Sequence, residues 1–491
     1  MTSRVMPMTN LTGIDVMKLP QAFTEQMRPL LGDEYEAFAQ ALVEAEQPTS
    51  IRLNHHKGAM VGTHATPVPW SGGVGYYLPS RPTFTFDPLL HAGAYYVQEA
   101  ASMFLGAVIH QYIPSAVRYL DLCAAPGGKS THALSLLPQG SLVVSNEVVR
   151  QRAAILAENI AKWGNPCAVV TNNMPADWGT WEEYFDVIAT DVPCSGEGMF
   201  RKDDTAISEW SPANVAHCAS RQRGILADIW AALRPGGILI YSTCTFNIEE
   251  NELMLQHLVK EYNATPLSVD ISPEWGISGA LTGDIPAYRF MPHCTQGEGL
   301  FMAVLRKPGD VDAPCNDAPT QRDKKKKSNT KAKAAPVPKE VKEWLTADDY
   351  ELHLDDDTVT AYPARWAADM RAIAKSFNVL HAGIPMASLR GRDLIPAHAL
   401  ALSTAFNEQA FAQCEVSLDT ALAYLRREAI TLDGDAPRGY VVITYQGFRL
   451  GWVKNLGNRA NNLYPQEWRI RSSHTPEQIV DAGVTGSKQA E

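Results

Sequence analysis

Between about residues 112 and 307, short apolar runs alternate with longer segments that are apolar at helical spacing, the pattern of a doubly wound parallel α/β sheet. Residues 118–122 (Arg-Tyr-Leu-Asp-Leu) read as a first strand, and 130–137 as a helix ended by Pro138-Gln139-Gly140. Residues 142–145 give strand two, 149–163 a second helix, and 167–171 strand three. Two further apolar runs, 187–190 and 238–240, are strands four and five. A helix over about 215–233 joins them and is stopped by Arg234-Pro235-Gly236-Gly237. Residues 251–262 are helical again, and 300–305 form a strand that closes the sheet.

The flanks follow other rhythms. Phe23, Met27, Leu30, Leu31, Tyr35, Phe38, Leu42 and Val43 mark a helical stretch over 23–46. Residues 50–54 form a short strand, and the proline- and glycine-rich stretch 67–82 reads as turns. Residues 308–338 form a linker whose Lys324, Lys325, Lys326, Lys327, Lys331 and Lys333 lie among Ala, Pro and Asn and cannot build a core. It is a solvated hinge or a contact for RNA. A separate C-terminal region follows, with short strands over 439–445 and 451–454 separated by glycine. The expected division is a mixed N-terminal domain (1–111), a catalytic domain (112–307), a basic linker (308–338) and a C-terminal region (339–491).

Composition agrees with several soluble domains. The chain has 491 residues, 45% hydrophobic and 20% charged, and about 150 residues per domain gives about three. No apolar run approaches the ~18 residues of a membrane helix, and the N-terminus lacks the apolar core of a signal peptide. A cytoplasmic protein with no membrane partner is expected. The eight cysteines include no C-x-x-C pair, so no metal is expected. The net charge of −11 argues against indiscriminate phosphate binding. Any grip on a nucleic acid should be local and led by shape.

The chemistry concentrates at strand ends, where open α/β sheets form their ligand crevice. Cys123-Ala124-Ala125-Pro126-Gly127-Gly128-Lys129 joins strand one to its helix, and its small residues let the backbone approach a ligand. Cys123 stands where a phosphate-binding P-loop needs its first glycine, and G-x-G-x-x-G is absent. Glu147, at the end of strand two, is placed to accept hydrogen bonds from ribose hydroxyls. Loop and acid together suit S-adenosylmethionine. Strand four ends at Asp191-Val192-Pro193-Cys194, and strand five at Ser242-Thr243-Cys244. A thiolate that adds to C6 of cytosine makes C5 nucleophilic enough to take a methyl group. A second thiol can assist release of that adduct. Lys129 is a candidate for lowering the thiol pKa, and Asp191 for contacting the N3 and N4 edge of the base. The other cysteines are read as packing residues.

Asp-x-Pro-Cys-Ser-Gly at 191–196, Tyr-Ser-Thr-Cys-Thr at 241–245 and Ala-Ala-Pro-Gly-Gly-Lys at 124–129 together resemble the RNA cytosine-C5 methyltransferases of the Nol1/Nop2/Sun family. The segment 91–103 is similar to that family's entry into its catalytic domain, and the likeness runs over about residues 20 to 306. It implies a Rossmann-like S-adenosylmethionine-dependent methyltransferase fold. It also implies that Cys244 is the nucleophile and that Cys194 aids product release. DNA cytosine methyltransferases use their Pro-Cys cysteine instead, so the Thr-Cys motif points to RNA. Arg289-Phe290-Met291-Pro292-His293 resembles a loop bordering the active site.

Gly447-Phe448-Arg449-Leu450-Gly451-Trp452-Val453-Lys454, with Asn462-Leu463-Tyr464-Pro465 and Trp468-Arg469-Ile470, resembles a PUA-like RNA-binding module over about 400–472. That arrangement resembles the bacterial RsmF type. It implies cytidine 1407 of 16S ribosomal RNA as target, within the small ribosomal subunit, and a monomeric enzyme. Family members usually carry an Asp after strand three; here Asn173 is the substitute for the adenine region. Two other readings stay open: a transfer RNA substrate, or a non-catalytic RNA-binding assembly factor.

Overall fold

The structure, a computed structural model, describes residues 19–319 and 337–486, apart from 45, 392, 433, 434, 473, 475 and 477. The lysine-rich run from Lys324 to Lys333 lies outside the described residues. Nine strands form the central sheet: β1 (Arg118–Asp121), β2 (Leu142–Asn146), β3 (Ala168–Thr171), β4 (Phe185–Asp191), β5 (Leu233–Thr243), β6 (Thr265–Leu267), β7 (Tyr288–Phe290), β8 (Leu300–Arg306) and β9 (Val379–Ala382). Their order is β6-β8-β5-β4-β1-β2-β3-β9, with β7 paired to β8. Strands β1 to β5 run parallel. The order reverses at β1, which has β2 on one side and β4 on the other, and a ligand crevice is expected beyond that point.

Neighbouring residues on each strand feed opposite faces, as the strand period of two requires. Tyr119, Val143, Val187 and Ile240 enter one core, together with Ala133 and Leu134 of α1 (Gly128–Leu136) and Leu156, Ile160 and Trp163 of α2 (Arg150–Trp163). Leu120, Val144, Ile188 and Leu239 enter the other, with Leu226 and Ile229 of α3 (Pro212–Ile229) and Leu255 and Leu258 of α4 (Glu252–Tyr262).

Several local expectations change. The stretch 23–46 is two helices, Gln21–Leu31 and Tyr35–Glu44, because Gly32 turns the chain at φ +53. The stretch 67–82, read as turns, contains the strand Gly75–Leu78, paired to Thr49–Leu53. β8 does not close the sheet: β6 lies outside it, and its Pro266 fits the edge position, where a missing N–H costs no ladder bond. Arg234-Pro235-Gly236-Gly237 does not precede β5 but lies within it, across a register shift between Leu233 and Ile238.

The largest change concerns the C-terminal region. β9 comes from it and pairs antiparallel with β3. The helix Ala367–Ser376 lays Met370 and Ile373 on the second core of the central sheet, and Phe377 stacks on Trp178 at 3.7 Å. Leu422, Tyr424, Ile443 and Leu450 share a core with Ile51, Leu53 and Tyr95 of the N-terminal part. The strand Val484–Gly486 pairs with Ala59–Val61. The C-terminal region therefore braces both other parts. No helix among the described residues is long and apolar enough to cross a membrane.

Candidate active site

The loop after β1 is threaded between its neighbours. Leu122 N–H donates to Ala189 O of β4, and Ala124 N–H to Asn146 O of β2. Arg152 and Asn159 on α2 donate to the carbonyls of Ala125 and Pro126, each at 2.8 Å. Gly127 has φ +114, and a Cβ there would lie 3.1 Å from Leu156 Cδ1. Only glycine takes that turn without strain. A residue that sequence reasoning missed supports the same loop. Arg52, fully buried on the N-terminal sheet, donates to Gly128 O and Thr131 O of α1 and lies over the Trp163 ring at 4.2 Å. Its only sequence signal is a lone arginine in an apolar strand.

Two acids frame the crevice. Asp121 accepts from Ser130 Oγ at 2.6 Å through one oxygen, while its other oxygen is buried without a partner among the described residues. Burial pushes its pKa up to about 6, against the opposing effects of the Ser130 hydrogen bond and Lys129. Glu147 is 4% exposed. One oxygen accepts from Val149 N–H, and the other lies 3.4 Å from Arg152 but makes no hydrogen bond. Buried acceptors without donors carry a cost, and ribose hydroxyls would relieve it. The residues thus fit S-adenosylmethionine: the loop 123–129 for its backbone approach, Glu147 for the ribose. Asn173 has both ends of its amide engaged, accepting from Asn378 N–H and donating to Asp177. It ties β9 to β3. Cys123 remains a thiol, its pKa pushed by burial to about 12.

β4 and β5 run side by side with Asp191 opposite Ser242. Ser242 Oγ donates to Asp191 Oδ1 at 2.8 Å, and Lys129 Nζ lies 2.9 Å from Asp191 Oδ2. Burial alone would lower the Lys129 pKa, but Asp191 outweighs it, with Asp121 and Cys244 adding, and the net shift is upward. The ammonium stays charged beside the thiols. Just beyond, Cys194 Sγ and Cys244 Sγ are 3.0 Å apart. This is hydrogen-bond contact, longer than the ~2.05 Å of a disulfide. The hydrogen bond to Cys244, then burial, hold the Cys194 pKa well above the usual thiol value. Cys194 stays a thiol.

A buried polar network below the thiols fixes their loops. Glu250 accepts from Ser195 N–H, the Gln222 amide and the Asn247 amide. Glu197 accepts from the N–H groups of Phe246 and Asn247 and from Trp210 Nε1. Ser195 and Thr245 hydroxyls meet at 2.8 Å. Glu250 thus bonds to residues that follow both cysteines, and Glu197, three positions after Cys194, bonds to residues that follow Cys244. Arg289 is buried, forked onto Glu252 and donating to Phe246 O at 2.8 Å. It ties its strand to the loop that follows Cys244. No motif spacing marks this network, because its members meet only in three dimensions.

Residues 114–306 match the family described as 16S rRNA methyltransferase RsmB/F. Residues 19–100 match the N-terminal domain of 16S rRNA methyltransferase RsmF, and residues 411–470 the methyltransferase RsmF PUA domain. The chain belongs to the RsmB/F family of 16S rRNA methyltransferases.

Similar RsmB/F proteins align over nearly the whole chain. Ribosomal RNA small subunit methyltransferase F of Klebsiella pneumoniae (strain 342) is 29% identical over 477 residues, covering 91% of this chain and 96% of that protein. The protein of the same name from Aliivibrio fischeri (strain MJ11) is 28% identical over 489 residues, covering 92% and 98%. Among solved structures, a methyltransferase homolog protein from Pyrococcus horikoshii superposes with TM-score 0.50 and 24% identity, over 60% of this chain and all of that one. NSun6 from Pyrococcus horikoshii with SFG gives TM-score 0.50 and 18% identity, over 59% and 99%. These two share the fold over that portion of the chain.

Proposed function

We propose that this RsmB/F protein methylates C5 of one cytidine of 16S ribosomal RNA, cytidine 1407, through a covalent bond between Cys244 and C6. S-adenosylmethionine, when bound, supplies an electrophilic methyl group at the crevice that the loop 123–129 and Glu147 line. The observation that carries the reading is the 3.0 Å contact of a protonated Cys194 with Cys244, beside the Lys129–Asp191 pair.

The chain's residues then divide the work. The target base leaves its helix to reach the thiols, at a cost of a few kcal/mol. Asp191 accepts from the N4 amino group and orients the ring. Cys244, with the Lys129 ammonium and the Cys194 thiol beside it, adds to C6 as its thiolate, and the 5,6 double-bond electrons become available at C5. After C5 has gained its methyl group, C5 must lose a proton and the C6–S bond must break. Cys194 gives its proton to the departing Cys244 sulfur and is left as the thiolate that accepts the C5 proton. The pair then holds two protons, one more than at the start, and Cys244 releases the extra proton, the one displaced from C5, to solvent.

Methylation of small ribosomal subunits, free 16S RNA and bulk transfer RNA, followed by mapping of the modified base, tests this. A single 5-methylcytidine at position 1407 is expected. Transfer of methyl groups to transfer RNA alone overturns the target, and absence of transfer to any RNA overturns the reaction.

A further inference from the structure

Away from the thiol site, another group of ligand atoms is drawn together from distant parts of the chain. Glu34 lies in the turn between the two N-terminal helices, and His293 and Cys294 follow β7. One ligand atom from each lies within 4.8 Å of the other two. His293 Nε2 is 3.2 Å from Glu34 Oε2. Two donors of a tetrahedral zinc centre, each at ~2.0–2.1 Å from the metal, are ~3.3 Å apart. That edge is already at coordination length.

The imidazole is held in place without being committed elsewhere. Its side chain is only 7% exposed. It meets the Phe38 ring edge-on, with centroids 5.7 Å apart. Its Nδ1 is buried with no hydrogen-bond partner among the described residues. Glu34 and Cys294 are exposed and leave space for a water as a fourth ligand. A thiolate, an imidazole and a carboxylate together favour zinc over magnesium or calcium, which take oxygen ligands.

We propose that Glu34, His293 and Cys294 form a binding site for a zinc-class divalent cation. The site fastens the N-terminal helix pair to the segment that Arg289 ties to the loop following Cys244. Binding replaces the Cys294 S–H bond with a metal–sulfur bond, and the proton goes to solvent. The sequence gives no warning of such a site, because the usual short ligand spacings are absent and residue 34 is distant from residues 293 and 294.

Metal-stripped full-length protein titrated with zinc against a chromophoric chelator, and separately with cobalt, tests this. One equivalent of zinc is expected, and cobalt should give a thiolate charge-transfer band. Cys294→Ser should abolish that band, and Glu34→Gln should weaken zinc binding by at least about tenfold, the scale of losing even an outer partner. Cys194→Ala and Cys244→Ala should leave both readouts in place. No zinc uptake, unchanged affinity in both Cys294→Ser and Glu34→Gln, or a band lost with Cys244→Ala overturns the proposal. Because the readout is metal binding, its failure is separate from failure of the methyl-transfer reading.

Discussion

Cys194 Sγ lies 3.0 Å from Cys244 Sγ, although the two cysteines are 50 positions apart in the chain. The parallel pairing of β4 and β5, with Asp191 opposite Ser242, creates this contact. That contact, with burial, holds Cys194 as a thiol. The two substitutions should therefore fail differently. Cys244→Ala should lower methylation by more than about 10⁴-fold and form no RNA adduct. Cys194→Ala should accumulate an adduct that survives denaturing gels. Adduct formation by Cys244→Ala would reverse the two roles.

Glu250 should matter to stability as well as to activity. Glu250→Gln places an amide N–H₂ among donors from Ser195, Gln222 and Asn247. A buried donor left unsatisfied costs about 1–3 kcal/mol. The variant should unfold at lower denaturant and bring the two cysteines together less often. Denaturation curves and adduct yield read the two effects; wild-type values for both would show that the network does not position the thiols.

The protein should lose stability steeply in mild acid. Burial lowers the pKa values of His91, His132 and His398 to about 3, and of His381 to about 4. Each is neutral when folded and takes a proton on unfolding below about 6.5. Their folded pKa values are depressed, so the stability is present above pH ~6.5 and falls as pH drops towards 4. Four protons correspond to about 5 kcal/mol per pH unit at the steepest point. Asp121 acts in the opposite sense, because its raised value of about 6 favours the fold at low pH and loses that contribution as pH rises through 6. Asp121→Asn should therefore stabilise the cofactor-free protein at neutral pH and have little effect near pH 4. Melting curves across pH 4–8 check both.

Ending the chain at residue 338 should damage the catalytic domain, even though Cys194, Cys244 and the loop 123–129 all remain. It removes β9 from the β3 edge and uncovers Trp178, which Phe377 covers at 3.7 Å. An exposed strand edge beside an uncovered apolar patch favours aggregation. Sedimentation and thermal melting of the shortened chain should show association and a lower melting temperature. A monomer with wild-type melting would show that β9 is dispensable.

The parallel strands β1 to β5 were legible because each is a short apolar run bounded by turn residues, and the loop 123–129 was legible because its small residues are contiguous. The break at Gly32 and the edge strand β6 were not. Helical periodicity survives a one-residue reversal, and a three-residue strand leaves too short a pattern to read. Arg52, Glu197, Glu250 and Arg289 were also invisible as a set. Each is an ordinary charged residue until burial forces it to find partners.

The sequence alone determined the elements and the chemistry: alternating strands and helices, a glycine turn opening α1, and a cysteine after each of two strands. Tertiary structure decided the relations. It placed one thiol against the other, set Lys129 beside Asp191, and drew β9 from the far end of the chain into the catalytic sheet. The reason is physical. Local pattern records what each segment buries, but hydrogen-bond partners, protonation states and strand neighbours depend on which distant groups share the same low-dielectric space.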